Sequence, residues 1–482
     1  AYGRAFRRRI QRSARTVTNR AIGRLWIFFL CLFAILVVRA AWVMLVAGPE
    51  IASKPYNPRH ALLDARRGRI LATDGTVLAQ TEGNRRAYPF GDALAQTVGY
   101  VSARYGTSGI EDAYDRALTP ADTTGDPVAQ FDEILDAFEG KSSQSHGADV
   151  VTTIVPAIER TLWDQLSRHA RGGGIVLDPA TGAVLAIASV PSYDPARYDA
   201  EFPSLVDDPQ SPLLNRATSG LYPPGSSFKV FTAGSALEAG TVTMDSRFED
   251  PGYFQIGNFT LHDNESEATG DQDLTGAFAL SSNVDFAQIA LKMGVDQFYD
   301  YLGRWGIGAS LDFQLPAETD RVPPKDTIVP GELAQMAFGQ GALLVTPLSM
   351  ALVTATIANS GTMPRPYIVR QIVRDGKVAS ATPPGTLESP ISAQTAAEVT
   401  KMMIAVVQRG TGTTARIPHV QVAGKTGTAT NPHGLSHSWF VCFAPADHPR
   451  FVVAVVVENA GYGADVAAPI ARNVLETALA TP

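Results

Sequence analysis

The sequence predicts an α+β fold with a five-stranded antiparallel sheet, and three observations carry that reading. Two apolar strands, 173–177 and 183–188, flank the turn Asp178-Pro179-Ala180-Thr181-Gly182, as a hairpin requires. Three more strands come late in the chain, Val420–Thr428, His437–Phe443 and Phe451–Val457, with Asp447-His448-Pro449 as the turn between the last two. A helix-rich stretch from 226 to about 359 separates the two groups, and helices at 156–170 and 467–480 bracket them. An early pair and a late triplet of strands fit an antiparallel α+β sheet better than a βαβ repeat.

Composition bounds the function. At 482 residues, 45% hydrophobic and 18% charged, the chain is not largely disordered, and its length suits about three domains or one large and one small. Two cysteines, Cys31 and Cys442, exclude a disulfide scaffold and a thiolate metal cluster. Cys442 falls in an apolar strand without a His and Asn/Asp framework, so it reads as a buried thiol. A net charge of −7 leaves no global basic field for nucleic acid.

The charge is uneven along the chain. Residues 1–24 hold eight arginines and no acid; without them and Arg39 the remainder has 31 basic against 47 acidic residues. Between the two regions lies Leu25–Ala47, 23 residues whose one charge is Arg39. As a helix it is roughly 34 Å long, enough for a hydrocarbon core of ~30 Å. Arg39 sits near the far end, where its stem can snorkel or face a second helix. Arginines before the span place the N-terminus in the cytoplasm and the body outside. A cleaved leader, with 25–38 as its apolar core, is the alternative; the long Arg-rich start and the apolarity beyond Arg39 favour a retained anchor.

Residues 48–155 are mixed. The stretch 67–79 reads as a hairpin turning at Asp74-Gly75, and 119–146 as exposed loop around a short helix at 128–138. The chain thus divides into a tail at 1–24, a transmembrane helix at 25–47, a small domain at 48–155 and a large one at 156–482.

The large domain holds the chemistry. In Tyr222-Pro223-Pro224-Gly225-Ser226-Ser227-Phe228-Lys229, Pro-Pro-Gly cannot continue a helix, so Ser226 opens one at 226–239. Ser226 and Lys229 then share one face, a turn apart. A serine hydroxyl needs a base beside it, and a lysine near apolar or cationic groups can lose its proton and be that base. The helix N-terminus adds N–H groups where an oxyanion would form. Leu280-Ser281-Ser282-Asn283 follows 55 residues later, and Ala423-Gly424-Lys425-Thr426-Gly427-Thr428 ends an apolar strand. Each alone has a bland reading: a helix start with a solvated lysine, an N-cap before a helix at 284–294, a solvated strand end.

Together they are specific. S-x-x-K, S-x-N and K-T-G, in this order, are the motifs of penicillin-binding proteins and class A β-lactamases, and two of only eight lysines lie in them. Further stretches agree: Arg67-Gly68-Arg69-Ile70 with Asp74-Gly75, Gly109-Ile110-Glu111 with Tyr114, Pro191-Ser192-Tyr193-Asp194-Pro195, Gly339-Gln340-Gly341 with Val345-Thr346-Pro347, and Trp439-Phe440. Over nearly its whole length the chain resembles class B penicillin-binding proteins, the monofunctional peptidoglycan D,D-transpeptidases, in their short form.

That resemblance implies a serine β-lactamase-like transpeptidase fold with a helical subdomain, and a dimerisation-type pedestal at 48–155. It implies Ser226 as the nucleophile on the D-alanyl-D-alanine of a stem peptide and Lys229 as its base. Ser281 would relay a proton to the leaving D-alanine, Asn283 would bond the substrate amide, and Lys425 would hold the site positive. Thr426 and Thr428, either side of Gly427, would bind the terminal carboxylate, with the N–H groups of Ser226 and Thr428 as oxyanion hole. β-Lactams would trap Ser226. The resemblance implies no cofactor, and a SEDS-family glycosyltransferase as membrane partner, because 48–155 is too short for a glycosyltransferase domain.

Competing readings are a D,D-carboxypeptidase or anchored β-lactamase, which share the motifs, and a β-lactam sensor or inactive scaffold, which would need a cytoplasmic signalling domain or decayed motifs. His433 and His437 read as loop histidines rather than a zinc pair. Gly339-Gln340-Gly341 lacks the third glycine of a dinucleotide site. Asp74, Glu111 and Asp178 read as turn or cap residues.

Overall fold

The computed structural model describes residues 25–40, 42, 66–83, 85–120, 146–263, 268–431 and 434–481. The Arg-rich tail, much of 41–65, the loop at 121–145 with its expected helix, and His433 lie outside them. The chain divides into two units, 1–61 and 62–482. In the first, residues 25–40 are helical with exposed side chains. No helix among the described residues is long and apolar enough to cross a membrane, and the expected 25–47 span lies partly outside them.

The second unit is built on strands β1 (Gly172–Leu177), β2 (Val184–Val190), β3 (Ala423–Ala429), β4 (His437–Ala444) and β5 (Phe451–Val457). They form the expected five-stranded antiparallel sheet, in the order β3-β4-β5-β1-β2. In the first turn, Asp178 accepts from Ala180 N at 2.9 Å and Thr181 Oγ1 at 2.7 Å, as its turn reading requires.

Successive side chains of each strand serve opposite faces. Phe440, Cys442, Val453 and Val455 pack with helices α1 (Pro156–Leu166) and α7 (Ala467–Ala480) through Leu162 and Val474. Trp439, Val441, Phe443 and Ala454 join a larger core that takes in α2 (Lys229–Glu238), α3 (Leu274–Leu280), α4 (Asn283–Arg304), α5 (Pro347–Ala358) and α6 (Ala393–Arg409). Cys442 is fully buried, and burial pushes its thiol far up, as the filler reading expected. The helix expected to end near 294 does break there, at Gly294 (φ 77°), but a second segment continues to Arg304.

The small domain is not a product of the N-terminal sequence alone. Strands at 70–71, 77–82, 85–87 and 149–152 share a six-stranded sheet with 369–374 and 377–381 from the C-terminal half. Glu111, expected as a turn or cap residue, lies instead in a buried ion cluster. It accepts from Arg67 Nε at 2.9 Å and Arg86 Nε at 2.7 Å, and Arg86 also donates to the Gly68 carbonyl. Removing one member of such a cluster leaves uncompensated buried charge, a loss of about 3–5 kcal/mol. Glu111→Ala is therefore expected to lower the unfolding midpoint in a thermal melt by more than any exposed Glu→Ala; an unchanged melt would show the cluster to be energetically idle.

Candidate active site

The Pro-Pro-Gly segment delivers Ser226 differently from a plain helix start. Ser226 lies in a 3₁₀ turn, Gly225–Phe228, and the α-helix α2 begins at Lys229. The turn lies directly against β3. A Cβ on Gly225 (φ +55°) would stand 2.7 Å from the Thr428 carbonyl oxygen, and one on Gly427 would stand 2.8 Å from that of Pro224. Only glycine allows this approach from both sides, so the K-T-G strand and the nucleophile turn share one wall.

Ser281 and Asn283 arrive from the junction of α3 and α4. Ser281 caps α3 in the left-handed region (φ +67°), an uncommon conformation for a non-glycine residue. Its carbonyl accepts from Lys229 Nζ at 2.6 Å. Ser282 caps α4 by accepting from Asp285 N at 2.9 Å, as the N-cap reading of this motif expected. Asp263 accepts from the backbone N–H groups of Asn283 and Val284 and pins the helix start from outside.

Two buried lysines converge on Ser281. Lys229 Nζ donates to Ser281 Oγ at 3.3 Å and to Asn283 Oδ1 at 2.9 Å; Lys425 Nζ donates to Ser281 Oγ at 2.8 Å and to the Thr426 carbonyl at 3.1 Å. Both lysines are wholly buried. With Ser281 Oγ accepting from both sides, its own O–H is left to donate elsewhere. The bonds to Ser281 O, Ser281 Oγ and Asn283 Oδ1 occupy all three N–H donors of a Lys229 ammonium, so a free lone pair appears only once a proton is lost.

Electrostatics favour that loss. Burial lowers Lys229 to about 7, partly offset by Asp263, Asp285 and Asp250 behind it. Burial, reinforced by Lys229, drives Lys425 well below the ordinary lysine range. Burial raises Asp285 to about 7 and Asp263 to about 6.

The cleft in front of this chain has a volume of about 370 Å³ and is lined by Ser226, Asn283, Gln340, Thr428, Leu435 and Tyr462, among others. Thr426 and Thr428 lie two apart on β3 and so share a face of it. The Thr426 hydroxyl lies 2.5 Å from that of Thr411, beyond the end of α6, and the Thr428 hydroxyl accepts from Gly463 N at 3.4 Å. Gln340 comes from a stretch that carried no chemistry of its own in the sequence, and Asp263 and Asp285 lie in no motif. His437 Nδ1 accepts from Asn459 N at 3.2 Å, a structural use. Among the described residues no His/Cys/Asp/Glu group could hold a metal ion.

Comparison with known proteins agrees with this geometry. A family model described as the penicillin binding protein transpeptidase domain matches residues 172–476, and one described as the penicillin binding protein A dimerisation domain matches 67–150. The peptidoglycan D,D-transpeptidase PbpA of Mycolicibacterium smegmatis is 35% identical over 502 residues, covering 96% of this chain and 99% of that protein. The penicillin G acyl-enzyme of penicillin-binding protein A from Mycobacterium tuberculosis superposes with a TM-score of 0.79 at 33% identity, over 86% of this chain and 100% of that one. The D,D-transpeptidase domain of a peptidoglycan glycosyltransferase from Eggerthella lenta gives 0.77 at 36% identity, over 86% and 98%.

Proposed function

This chain belongs to the penicillin-binding protein transpeptidase family, and on that premise we propose that it crosslinks peptidoglycan as a D,D-transpeptidase, through an acyl-enzyme on Ser226 that β-lactams also form. The observation that carries the reading is the hydrogen-bonded chain Lys229–Ser281–Lys425 behind the Ser226 turn. Ser226 Oγ attacks the carbonyl between the last two D-alanines and Lys229 takes its proton. Ser281 passes a proton to the departing D-alanine nitrogen, and Lys425 keeps Ser281 oriented. The amide of Asn283 holds the substrate backbone, and Thr426 and Thr428 hold the terminal carboxylate. The N–H groups of Ser226 and Thr428 receive the oxyanion, a donor arrangement worth about 3 kcal/mol per bond in acyl transfer. An amine of a neighbouring stem peptide then displaces Ser226 and leaves an amide crosslink.

The experiment is partition of the acyl-enzyme. Purified protein given a D-Ala-D-Ala stem peptide and an amine acceptor should yield crosslinked product by mass spectrometry, rising with acceptor concentration. Hydrolysed product alone, at every acceptor concentration, would make it a carboxypeptidase.

We further propose that 25–47 is a retained single-pass anchor, with the tail inside and the catalytic body outside the cytoplasmic membrane, and that it pairs with a SEDS-family glycosyltransferase through the helix around Arg39 and residues near 60–80. The arginine asymmetry supports the orientation. Arg39 supports the pairing, since an intramembrane charge is costly unless it snorkels or faces protein; its guanidinium carbon lies 4.6 Å from the Trp42 ring centre. A phosphatase reporter fused after Pro482 should be active. Replacing 25–47 by an unrelated apolar helix should weaken co-purification with the polymerase while leaving penicillin binding intact. A silent reporter would reverse the topology, and an undiminished complex would reduce the helix to an anchor.

A further inference from the structure

The segment that presents Ser226 is tied to the end of β5, in register with Thr428 through Ser438, by residues outside all three motifs. Tyr222, four residues before Ser226, is 6% exposed, and its hydroxyl donates to Glu458 Oε1 at 2.9 Å. That same oxygen accepts from Arg216 Nε at 2.8 Å, while Glu458 Oε2 takes Arg171 Nε at 3.1 Å. Arg216 is buried in turn, with its other nitrogens on the carbonyls of Ser211 and Gln210. Glu458 follows directly after β5, so its carboxylate is held by charge on both sides and by the sheet beneath it.

The rest of the segment is anchored along its backbone. Tyr222 exchanges both backbone bonds with Val345, at 3.0 and 2.9 Å, and Gly225 N donates to Gly339 O at 2.8 Å. Trp439 Nε1 donates to the Pro223 carbonyl at 3.1 Å. The rings of His437 and Trp439 meet Tyr222 edge to face, with centroids 5.6 and 6.2 Å away. Pro223 and Pro224 have φ fixed by their rings. Fewer soft torsions therefore separate Tyr222 from Gly225 and Ser226 than in an ordinary segment of this length. Burial, with Glu458 beside it, keeps the phenol protonated, so it remains a donor throughout the working range.

We propose that Tyr222 and Glu458 are positioning residues for acylation: their hydrogen bond fixes the 222–225 segment and so aims Ser226 Oγ at the scissile carbonyl. Neither touches the reacting atoms, and the proposal rests on Ser226 being the nucleophile. Small displacements of a reacting group are costly, since a misplacement of about 1 Å can lower a rate by about 10²-fold. Ligand recognition by Thr428 and Asn283 does not pass through Tyr222, so initial binding and the chemical step should separate.

The test uses stopped-flow acylation of the full chain by a fluorescent penicillin, resolving the non-covalent Kd from the acylation rate constant. Tyr222→Phe removes one hydroxyl and leaves the Arg216–Glu458 pair intact. It should lower the acylation rate constant about tenfold while Kd changes less than twofold and the thermal melt stays within a few degrees. Glu458→Asp withdraws the acceptor but keeps the charge; it should give a similar loss, and the double variant should be no slower than the worse single one. An unchanged rate constant in Tyr222→Phe, additive losses in the double variant, or a rate loss that tracks partial unfolding at the assay temperature would each overturn the proposal. Ser226→Ala in the same assay keeps the two readings apart: adduct formed by that variant would refute the nucleophile and the clamp with it, whereas no adduct there together with an unchanged rate constant in Tyr222→Phe would refute the clamp alone.

Discussion

Ser226→Ala is expected to abolish covalent labelling by penicillin while the protein stays folded. The two motif serines nearest in sequence and geometry are committed elsewhere. Ser227, the adjacent candidate, is fully buried and its hydroxyl donates to the Pro224 carbonyl at 2.7 Å. Ser281 Oγ is held between two lysine nitrogens, where it accepts rather than attacks. The turn itself does not depend on the Ser226 side chain. Its geometry comes from Gly225 against Thr428 and from the bond of Gly225 N to Gly339 O at 2.8 Å. The substitution should therefore cost no more than about 1 kcal/mol of stability. Gel fluorescence after penicillin treatment, a thermal melt and mass mapping of the wild-type adduct decide the matter. An adduct mapped to Ser227 or Ser281, or labelling that survives in Ser226→Ala, would falsify the assignment.

How far the sequence announces this site depends on which contacts are local. The five strands were legible because apolar runs broken by turn residues are written into consecutive positions. Ser226 and Lys229 were legible as a pair because three residues make one turn. The convergence of Lys229 and Lys425 on Ser281 was not readable from spacing: it depends on β3 lying beside the Ser226 turn, which in turn depends on Gly225 and Gly427 having no side chains. Only a resemblance to proteins with the same three motifs could anticipate it. Asp263 left no trace, because a carboxylate that pins a helix 20 residues away has no periodic signature. The pedestal sheet failed for the same reason: the hairpin at 369–381 reaches it from more than 200 residues downstream.

Lys229 is expected to show the second largest effect, and its pH profile should identify the role. The ammonium form has every N–H committed to Ser281 and Asn283, so it cannot take the Ser226 proton. With burial lowering it to about 7, the free-amine fraction below that value rises about tenfold per pH unit, then levels off above it. Acylation by penicillin should follow the same curve. Lys229→Arg should lose about 10²–10⁴ in rate at every pH, since a guanidinium does not give up its proton in this range. Lys425→Arg should retain part of the activity, because charge rather than proton transfer is asked of that position. The same shift carries a stability signature of definite sign. Between about 7 and the ordinary lysine value of 10.5, the unfolded chain binds a proton at Lys229 that the folded chain does not. Stability should therefore rise with pH across that window; Lys425, also held below the ordinary lysine range, adds to the rise with the same sign, so Lys229→Met should reduce the rise without abolishing it. The aspartates behind it act over a lower window, from the ordinary 3.8 up to about 6 for Asp263 and about 7 for Asp285, and with the opposite sign, so they do not mimic it. A wild-type acylation rate flat from pH 5.5 to 8, or equal tolerance of arginine at 229 and 425, would remove Lys229 from the base role and leave it as a structural cation.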